Sequence, residues 1–517
     1  MELIKKVKRM TLFSSIFRIT LLLTVFFSCK NPSKPGENVE KKPSKPNIVY
    51  ILADDMGYGD LSSLNPNSGI RTPQMDKIVK EGIHFTDAHS NSSVCTPTRY
   101  GILTGRYAWR SRLKTGVLWG YDPPLIEEDR ETVASFLRRN GYTTACIGKW
   151  HLGLGWQPKN YNKPIAKYEW DKVFEKGDDS NVDFSKSVSG PNELGFDYSY
   201  IIPSSLDMTP YLYLENGKAV ELPTAYTEGK SEKKDGRGVF WRPGEVAPHF
   251  VFEQVLENVT EKTVSYIERQ KDSKTPFFIY FPLTAPHTPW LPSEAAKGSS
   301  NAGRYGDFVT MVDKAVGSVM EALEKAGKAE NTLVIVTSDN GSHWKPEDKK
   351  NSAHRANYQF KGQKADIYEG GHRIPYIAKW PGKITRGSSS DQVMCTTDLL
   401  ATLSGIVGKP LSPEAGEDSY NMLPAYLQTA EAPIRDYTVH HSLDGFFSIR
   451  KGKWKLTTKL GSGGFSAPVE IKPQKGEATG TLYDMETDIS EKNNLYDQYP
   501  EVVKELSVLL KKVKQDG

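Results

Sequence analysis

The 517-residue chain is poor in cysteine, close to charge balance and almost free of long apolar runs. Four cysteines are too few for the disulfide framework of a small secreted module. A formal net charge of +4, with basic residues interspersed among acidic ones, provides no continuous positive face for nucleic acid or anionic lipid. Any anion recognition therefore has to be local to a site. No repeat at solenoid periods is present. What the chain does have is 38% apolar residues over a length sufficient for one large α/β domain plus a smaller one, which excludes a disordered protein.

The one apolar run lies at residues 16–27, after Lys5, Lys6, Lys8 and Arg9. It is shorter than the ~20 residues of a membrane span and reads as a secretory signal. Val25-Phe26-Phe27-Ser28-Cys29 is similar to the cleavage box of bacterial lipoproteins. That likeness implies a signal peptide over 1–28, a lipid on Cys29, and an exported protein at the periplasm or cell surface whose only membrane contact is the anchor. A signal peptide cut elsewhere, or an uncleaved anchor, is the alternative. Residues 29–46, rich in Lys, Pro, Ser, Glu and Asn, have nothing to bury and read as a tether.

Four short apolar runs with β-branched or aromatic residues, at 48–52, 144–147, 277–281 and 333–336, read as buried parallel-type strands. Helical patterns separate them at 132–140, with Gly141 as its C-cap, at 255–269, and at 308–326, ending near Gly327. The alternation predicts an α/β fold with a large doubly wound sheet flanked by helices. Residues 156–242 show weak periodicity and are expected to be long loops over that sheet. Beyond about 430 the pattern changes to short runs at 446–450, 454–456 and 482–484, then a helical face of Val502, Val503, Leu506, Leu509, Leu510 and Val513. The expected division is a main domain over 47–430 and a smaller C-terminal subdomain over 431–517, an antiparallel sheet plus a helix that packs on the fold.

Polar residues follow each predicted strand: Asp54-Asp55 the first, Lys149 and His151 the second, His287 the third, Asp339-Asn340 the fourth. Groups just past the carboxyl ends of parallel strands converge on one crevice, where open α/β sheets bind ligands. A single Asp-Asp or Asp-Asn pair usually marks only a turn or a cap. Two such pairs in one sheet offer hard oxygen donors, which suit Ca2+ or Mg2+ rather than zinc. Cys95 precedes a short helical stretch at 98–104, and a helix N-terminus favours a thiolate. Alone it would read as a core residue, as Cys146 does within the apolar stretch 143–147.

The run Cys95-Thr96-Pro97-Thr98-Arg99, continued by Tyr100-Gly101-Ile102-Leu103-Thr104-Gly105-Arg106, resembles the signature of the type I sulfatases, Cys-x-Pro-x-Arg followed by Thr-Gly. Thr98 stands where many members carry Ser, and the hydroxyl is retained. Asn47-Ile48-Val49 leading into Asp54-Asp55-Met56-Gly57-Tyr58-Gly59-Asp60 matches the family's first motif, and Gly148-Lys149-Trp150-His151-Leu152-Gly153 its second box. Pro286-His287, Ser338-Asp339-Asn340-Gly341, and Lys364 ahead of Tyr368-Glu369-Gly370-Gly371 complete the set in order, from about Pro46 to the C-terminus.

The resemblance implies an alkaline-phosphatase-like fold and a sulfuric ester hydrolase. It implies that a formylglycine-generating maturation enzyme oxidises Cys95 to formylglycine (3-oxoalanine), whose hydrate is the nucleophile. Asp54, Asp55, residue 95, Asp339 and Asn340 are then the ligands of one Ca2+, while Arg99, Lys149 and Lys364 neutralise the sulfate oxygens. His287, with Lys364, is the candidate acid for the departing alcohol, and His151 the base that takes a proton from the second hydroxyl so that sulfate is expelled. An unmodified Cys95 could attack but would lack that second hydroxyl. Lys149, His287 and Lys364 are also substrate contacts. His372 replaces the family's usual aliphatic residue, and either faces the substrate or packs. His84, His89, His343, His354, His440 and His441 carry no assignment.

Ser204-Ser205-Leu206-Asp207-Met208 and the loop at 211–222 are similar to regions of bacterial sulfatases related to arylsulfatases and galactosamine-sulfate sulfatases. The expected partner is therefore a sulfated carbohydrate, with exo-removal of sulfate from galactose or N-acetylgalactosamine. A phosphodiester or phosphonate monoester hydrolase on the same fold is one competing reading. The box at 148–153 and a donor set sized for one ion favour sulfate. A non-catalytic surface glycan-binding protein is the other, and occupation of every expected catalytic position argues against it.

Overall fold

Every residue of the strand β1 (Asn47–Asp54) is buried, because helices cover both faces of the sheet to which it belongs. The computed structural model describes residues 45–166, 180–232 and 237–516, so the expected signal peptide, Cys29 and most of the tether lie outside the described residues. In chain order the large sheet continues with β2 (Ile83–Phe85), β3 (Thr143–Lys149), β4 (Tyr198–Ile202), β5 (Leu214–Glu215), β6 (Lys218–Ala219), β7 (Phe277–Pro286), β8 (Thr332–Ser338), β9 (Tyr376–Lys379) and β10 (Ser388–Ser390). In space the order is β10-β2-β9-β8-β1-β7-β3-β4-β5-β6. The centre, β8-β1-β7-β3-β4, is parallel, while β9 and β5 join it antiparallel.

Alternation along β1 divides the core in two, as the period of a strand requires. Ile48, Tyr50 and Leu52 pack with residues of α2 (Cys95–Thr104), α3 (Val133–Arg139) and α6 (Leu399–Val407), whereas Val49 and Ile51 pack with α1 (Pro73–Glu81), α4 (Val255–Arg269) and α5 (Gly303–Lys325). Each fully buried aliphatic side chain contributes roughly 1.5–3 kcal/mol of burial free energy, so these two layers hold the strand ends in place. The four predicted strands and the three predicted helices all form. Thr132 proves to be the N-cap of α3, its Oγ1 accepting the Ser135 N–H at 3.0 Å while Ser135 Oγ accepts the Thr132 N–H at 2.9 Å. Gly141 takes the left-handed conformation, φ 83°, just past the end of α3.

Two boundaries differ from expectation. The helix α5 begins at Gly303 rather than at 308, because Asp307 is buried and accepts N–H groups of Gly298 and Ser300, which draws a polar first turn into the packed part of the helix. The stretch 156–242 is not all loop, since Tyr198–Ile202 pairs in parallel with β3 and extends the sheet. Its flanking polar residues and short length hid that strand.

The C-terminal sheet is antiparallel, in the order β11 (Thr438–His441), β12 (Phe447–Lys451), β13 (Trp454–Thr457) and β14 (Thr481–Asp484). The final helix, α7 (Pro500–Gln515), buries Val503, Leu506, Leu510 and Val513 against Val439, Ile449, Leu456 and Leu482 of this sheet. That face is occupied by packing. The strand β11 was not anticipated, and it matters because His440 accompanies the segment leading to Cys95: its Nδ1 donates to the Ser90 carbonyl at 2.9 Å.

Candidate active site

The carboxyl ends of the parallel strands bring the predicted residues together. Asp54 closes β1 and Lys149 closes β3, while His287 and Asp339-Asn340 directly follow β7 and β8. Cys95 is the first residue of α2, and Lys364 comes from the loop before the helical turn Glu369–His372. Asp55 and His151 both sit in the left-handed region, φ 67° and 57°, a costly conformation for residues other than glycine that is concentrated at functional sites. Asp55 is held there by its N–H, which donates to Asp339 Oδ1 at 3.1 Å. The turn beyond it is fixed by Asp60, whose carboxylate accepts from the Gly57 N–H, the Tyr305 hydroxyl and His354 Nε2.

Three carboxylates and three cations interlock in this buried space. Lys149 Nζ donates to Asp54 Oδ2 at 2.7 Å and to Ser205 Oγ at 3.2 Å. Arg99 Nη2 bridges Asp339 Oδ2 at 2.7 Å and Asp54 Oδ1 at 3.3 Å. Lys364 Nζ donates to Asp55 Oδ2 at 2.7 Å, and Asn340 Nδ2 to Asp55 Oδ1 at 2.7 Å. Burial alone would raise every carboxyl here. At Asp54 the charge of Lys149, with His287, Arg99 and Lys364, outweighs burial and holds the group well below the usual range. At Asp339 burial and the neighbouring charge of Asp54 prevail over Arg99 and Lys149, pushing the carboxyl up to about 7.

The carboxylates of the crevice are oxygen donors that suit a hard divalent cation. Asp54, Asp55, Cys95 and His287 each offer one ligand atom, all within 4.8 Å of one another. Asn340 Oδ1 is buried with no hydrogen-bond partner among the described residues, an oxygen left for a ligand. Asp339 stands outside that tight group, its Oδ2 engaged by Arg99.

Cys95 departs from the thiolate expectation. It is 2% exposed, its Sγ donates to Asp54 Oδ1 at 3.7 Å, and burial pushes the thiol up to about 12 despite Lys149 and Lys364. A helix terminus supplies ~0.3–1 kcal/mol, less than one pKa unit, so it cannot offset that burial. As a plain cysteine the residue is held protonated by burial.

The two histidines of the crevice differ in what they leave free. His151 Nε2 lies 2.8 Å from the Leu118 carbonyl, which can only accept, so the ring proton is on Nε2. Its Nδ1 is buried and unpartnered among the described residues. Burial, then Lys149 and Arg99, hold this imidazole neutral, well below the usual histidine range. The result is a base with a free lone pair. In His287, Nδ1 donates to the Thr288 carbonyl at 2.5 Å and Nε2 lies 3.7 Å from Asp55 Oδ2. Burial and Lys364 lower its pKa, while Asp55 and Asp54 oppose them.

His372 does not face the crevice. It is fully buried, with its ring stacked on His440 at 4.0 Å and 4°. Lys455 Nζ donates to His372 Nε2 at 3.1 Å, His372 Nδ1 meets His89 Nδ1 at 3.0 Å, and His89 Nε2 donates to Asp87 Oδ1 at 2.7 Å. The His89, His372 and His440 nitrogens approach closely enough to hold an ion, yet this chain already uses both nitrogens of His89 and His372, and parallel stacked rings direct their lone pairs alongside rather than toward each other. Packing, not substrate contact, is the role of His372.

Three neighbours of the site went unassigned in the sequence. Ser205 links Lys149 to His287, its Oγ 3.2 Å from His287 Nδ1. Asp207 pairs with Arg242 through Oδ2, while its buried Oδ1 has no partner among the described residues. Both fall in the run 204–208, which had been singled out only for its likeness to other chains. His343 follows Asn340-Gly341-Ser342, and nothing in its surroundings along the chain marks it.

Comparison with known proteins agrees with this geometry. The family described as Sulfatase matches residues 46–409. An N-acetylgalactosamine-6-O-sulfatase of Bacteroides thetaiotaomicron is 32% identical, over 93% of this chain and 94% of its own. Human arylsulfatase A is 30% identical, over 79% of this chain and 74% of its own. A solved sulfatase structure from the metabolism of multiple glycosaminoglycans by Bacteroides thetaiotaomicron superposes with a TM-score of 0.77 at 31% identity, covering 91% of this chain and all (100%) of that one. The fold is alkaline-phosphatase-like, and the chain belongs to the sulfatase family and is a sulfuric ester hydrolase.

Proposed function

We propose that this enzyme removes sulfate from a galactose or N-acetylgalactosamine unit of a sulfated glycan, using a formylglycine made from Cys95 and one bound Ca2+. The observation that carries the reading is the buried set of three carboxylates and three cations around Cys95, flanked by two imidazoles with different free nitrogens. Sulfatases generally combine a formylglycine with a metal ion. When bound, Ca2+ supplies Lewis acidity and formylglycine supplies a hydroxyl nucleophile with a second hydroxyl beside it. Asp54, Asp55, Asp339 and Asn340 would hold the ion, with residue 95 against it.

The remaining chemistry belongs to the chain's own side chains. Arg99, Lys149 and Lys364 offset the charge of the sulfate oxygens, fixed in advance by their carboxylate partners so that little reorganisation is needed. Lys364 keeps its proton, because Asp55 and Asp54 outweigh the burial that opposes its charge. It can donate a hydrogen bond to the departing alcohol oxygen, while His287 is the candidate to deliver a proton from Nε2, against the burial and Lys364 charge that lower its pKa and with Asp55 favouring the charged form. His151 accepts a proton at Nδ1 when sulfate is released. Asp207 Oδ1, the unpartnered acceptor beside Ser205, offers a hydrogen bond to a sugar hydroxyl.

The named activity of the 32%-identical relative supports N-acetylgalactosamine 6-sulfate as the first substrate to test. Purified enzyme is expected to release sulfate from that sugar or a sulfated galactose within a panel of sulfated monosaccharides and disaccharides. Turnover of phosphodiesters in preference to every sulfate ester would sink the proposal. The N-terminal pattern supports an exported lipoprotein carried on Cys29, which Cys29→Ser should release from the membrane fraction.

A further inference from the structure

Phe465 is the one phenylalanine among the described residues that is more than a third exposed, at 43%. It lies in the Gly-Ser-Gly-Gly-Phe-Ser stretch 461–466 between β13 and β14, and this loop is tightly held. The Phe465 and Ser466 N–H groups donate to Asp366 Oδ1 at 2.8 and 3.0 Å, and Ser466 Oγ donates to Asp366 Oδ2. Ile367 N–H donates to the Ser462 carbonyl at 2.8 Å. A Cβ on Gly464 would meet the Ala365 carbonyl oxygen at 2.2 Å, so only glycine lets the loop lie this close to the segment that carries Lys364.

The ring is therefore displayed at a fixed place one short step from the sulfate-binding lysine. It lies tilted against His343, centroids 4.9 Å apart at 43°. His343 belongs to the same neighbourhood, since the Ser342 carbonyl accepts the Lys364 N–H at 3.1 Å. Its Nε2 is buried with no hydrogen-bond partner among the described residues. Burial and the charge of Lys364 keep this imidazole neutral. A buried imidazole nitrogen with no partner costs solvation unless a ligand meets it, and the exposed ring lies against that same imidazole.

We propose that Phe465 and His343 form a shelf for the sugar ring that bears the sulfate, with the apolar face of the pyranose on Phe465 and a sugar hydroxyl against His343 Nε2. The proposal rests on the glycan reading above. It makes the C-terminal sheet, through the loop between β13 and β14, part of the substrate site and a determinant of specificity, since the alcohol portion of the ester must lie beside Lys364 and His287 when its oxygen departs.

The test compares wild type with Phe465→Ala, Phe465→Trp and His343→Phe, on an aryl sulfate and on the best sugar sulfate of the panel. Phe465→Ala should raise KM for the sugar sulfate roughly tenfold with kcat within about twofold of wild type, the share expected of one stacking contact. Phe465→Trp should restore the wild-type KM, which a merely structural role for the loop would not predict. His343→Phe should raise KM for the sugar while leaving thermal stability unchanged. A wild-type enzyme active on a sugar sulfate, with KM unmoved in Phe465→Ala, overturns the shelf and leaves the glycan reading standing. A wild-type enzyme that cleaves the aryl sulfate and no sulfated sugar overturns the glycan reading, and the shelf with it.

Discussion

Two buried polar clusters, one around Cys95 and one around His372, are made of the same materials and do opposite things. Each contains three acids, three cations and at least two imidazoles gathered from distant parts of the chain: Asp54, Asp55, Asp339, Arg99, Lys149 and Lys364 in the first, Asp87, Glu369, Glu491, Arg373, Arg450 and Lys455 in the second. Around His372 the chain of donors runs from Lys455 through both histidines to Asp87. Around Cys95, Asn340 Oδ1 and His151 Nδ1 have no partner among the described residues, and around His372 the same is true of His440 Nε2 and Arg373 Nε. Buried charge by itself is no sign of chemistry. The sign is place: Asp54, Lys149, His287 and Asp339 stand at or just past the carboxyl ends of parallel strands, where open α/β sheets bind ligands, and the His372 cluster does not.

The largest effect expected from this contrast is at residue 95. Cys95→Ala should lower sulfate release by at least on the order of a thousandfold, since no other residue can become the proposed nucleophile, with an unchanged melting temperature. Intact-peptide mass spectrometry across residues 90–106 should show activity rising in proportion to conversion of the cysteine; full activity in a wholly unconverted preparation would falsify the assignment. Next come the two histidines. His151→Ala should lower kcat by ~10²–10⁴-fold at nearly constant stability, the range for a lost general base. His372→Ala should do the reverse, costing roughly 1–3 kcal/mol by leaving Lys455 and His89 short of a partner while kcat per folded molecule holds. Parallel kinetics and denaturation of both variants decide the matter, and a matching kcat loss in His372→Ala would erase the distinction between the clusters.

Removal of metal separates the clusters in a third way. A ligand that binds only the native state at a hundred times its Kd adds about 2.7 kcal/mol of stability, so a chelator should lower the melting temperature of wild type and stop turnover, and Ca2+ should restore both. Asp339→Ala should lose most of that Ca2+-dependent increment, whereas His372→Ala should retain it. An increment that survives in Asp339→Ala would place the ion elsewhere.

Much of the Cys95 cluster was legible because several of its members stand at the end of an apolar run, where the sheet's own geometry directs them to a common crevice. Asp54, Lys149, His287 and Asp339 need only the strand pattern to be placed together. The second cluster had no such signal. His89, His372, His440 and Lys455 come from a two-residue strand, a single helical turn and two strands of the C-terminal sheet, and β11 had itself gone unrecognised. Cys95 shows the limit from the other direction: its position at a helix start was foreseen, but burial decides its protonation, and burial is a property of the assembled core. Phe465 is harder still, since in sequence it is one aromatic residue in a glycine-rich stretch, and its meaning comes from Asp366 and Ala365, about a hundred residues earlier in the chain.

The smallest predicted effect is a dependence of stability on pH to which the cluster around His372 contributes. Burial holds His89, His372 and His440 below the ordinary histidine value of 6.5, with neighbouring positive charge from Arg373 on His89 and from Lys455 on the other two acting the same way and Glu369 opposing on all three. A histidine whose folded pKa is lowered leaves the native state with fewer bound protons than the unfolded chain once pH falls through 6.5, so its contribution is present above that value and is lost below it. For His440, held well below 6.5, this contribution falls as pH drops from about 7.5 to about 6, by less than about 1 kcal/mol. His440→Phe keeps a ring stacked on His372 and removes the titrating group. Its urea midpoint should therefore fall less steeply than that of wild type over this interval, by about that amount, while Ca2+-loaded activity measured near pH 7.5 stays at the wild-type level. Parallel slopes in the two proteins would mean that His440 takes up its proton without opening the cluster, and the relay around His372 would then be less tightly closed than its hydrogen bonds indicate.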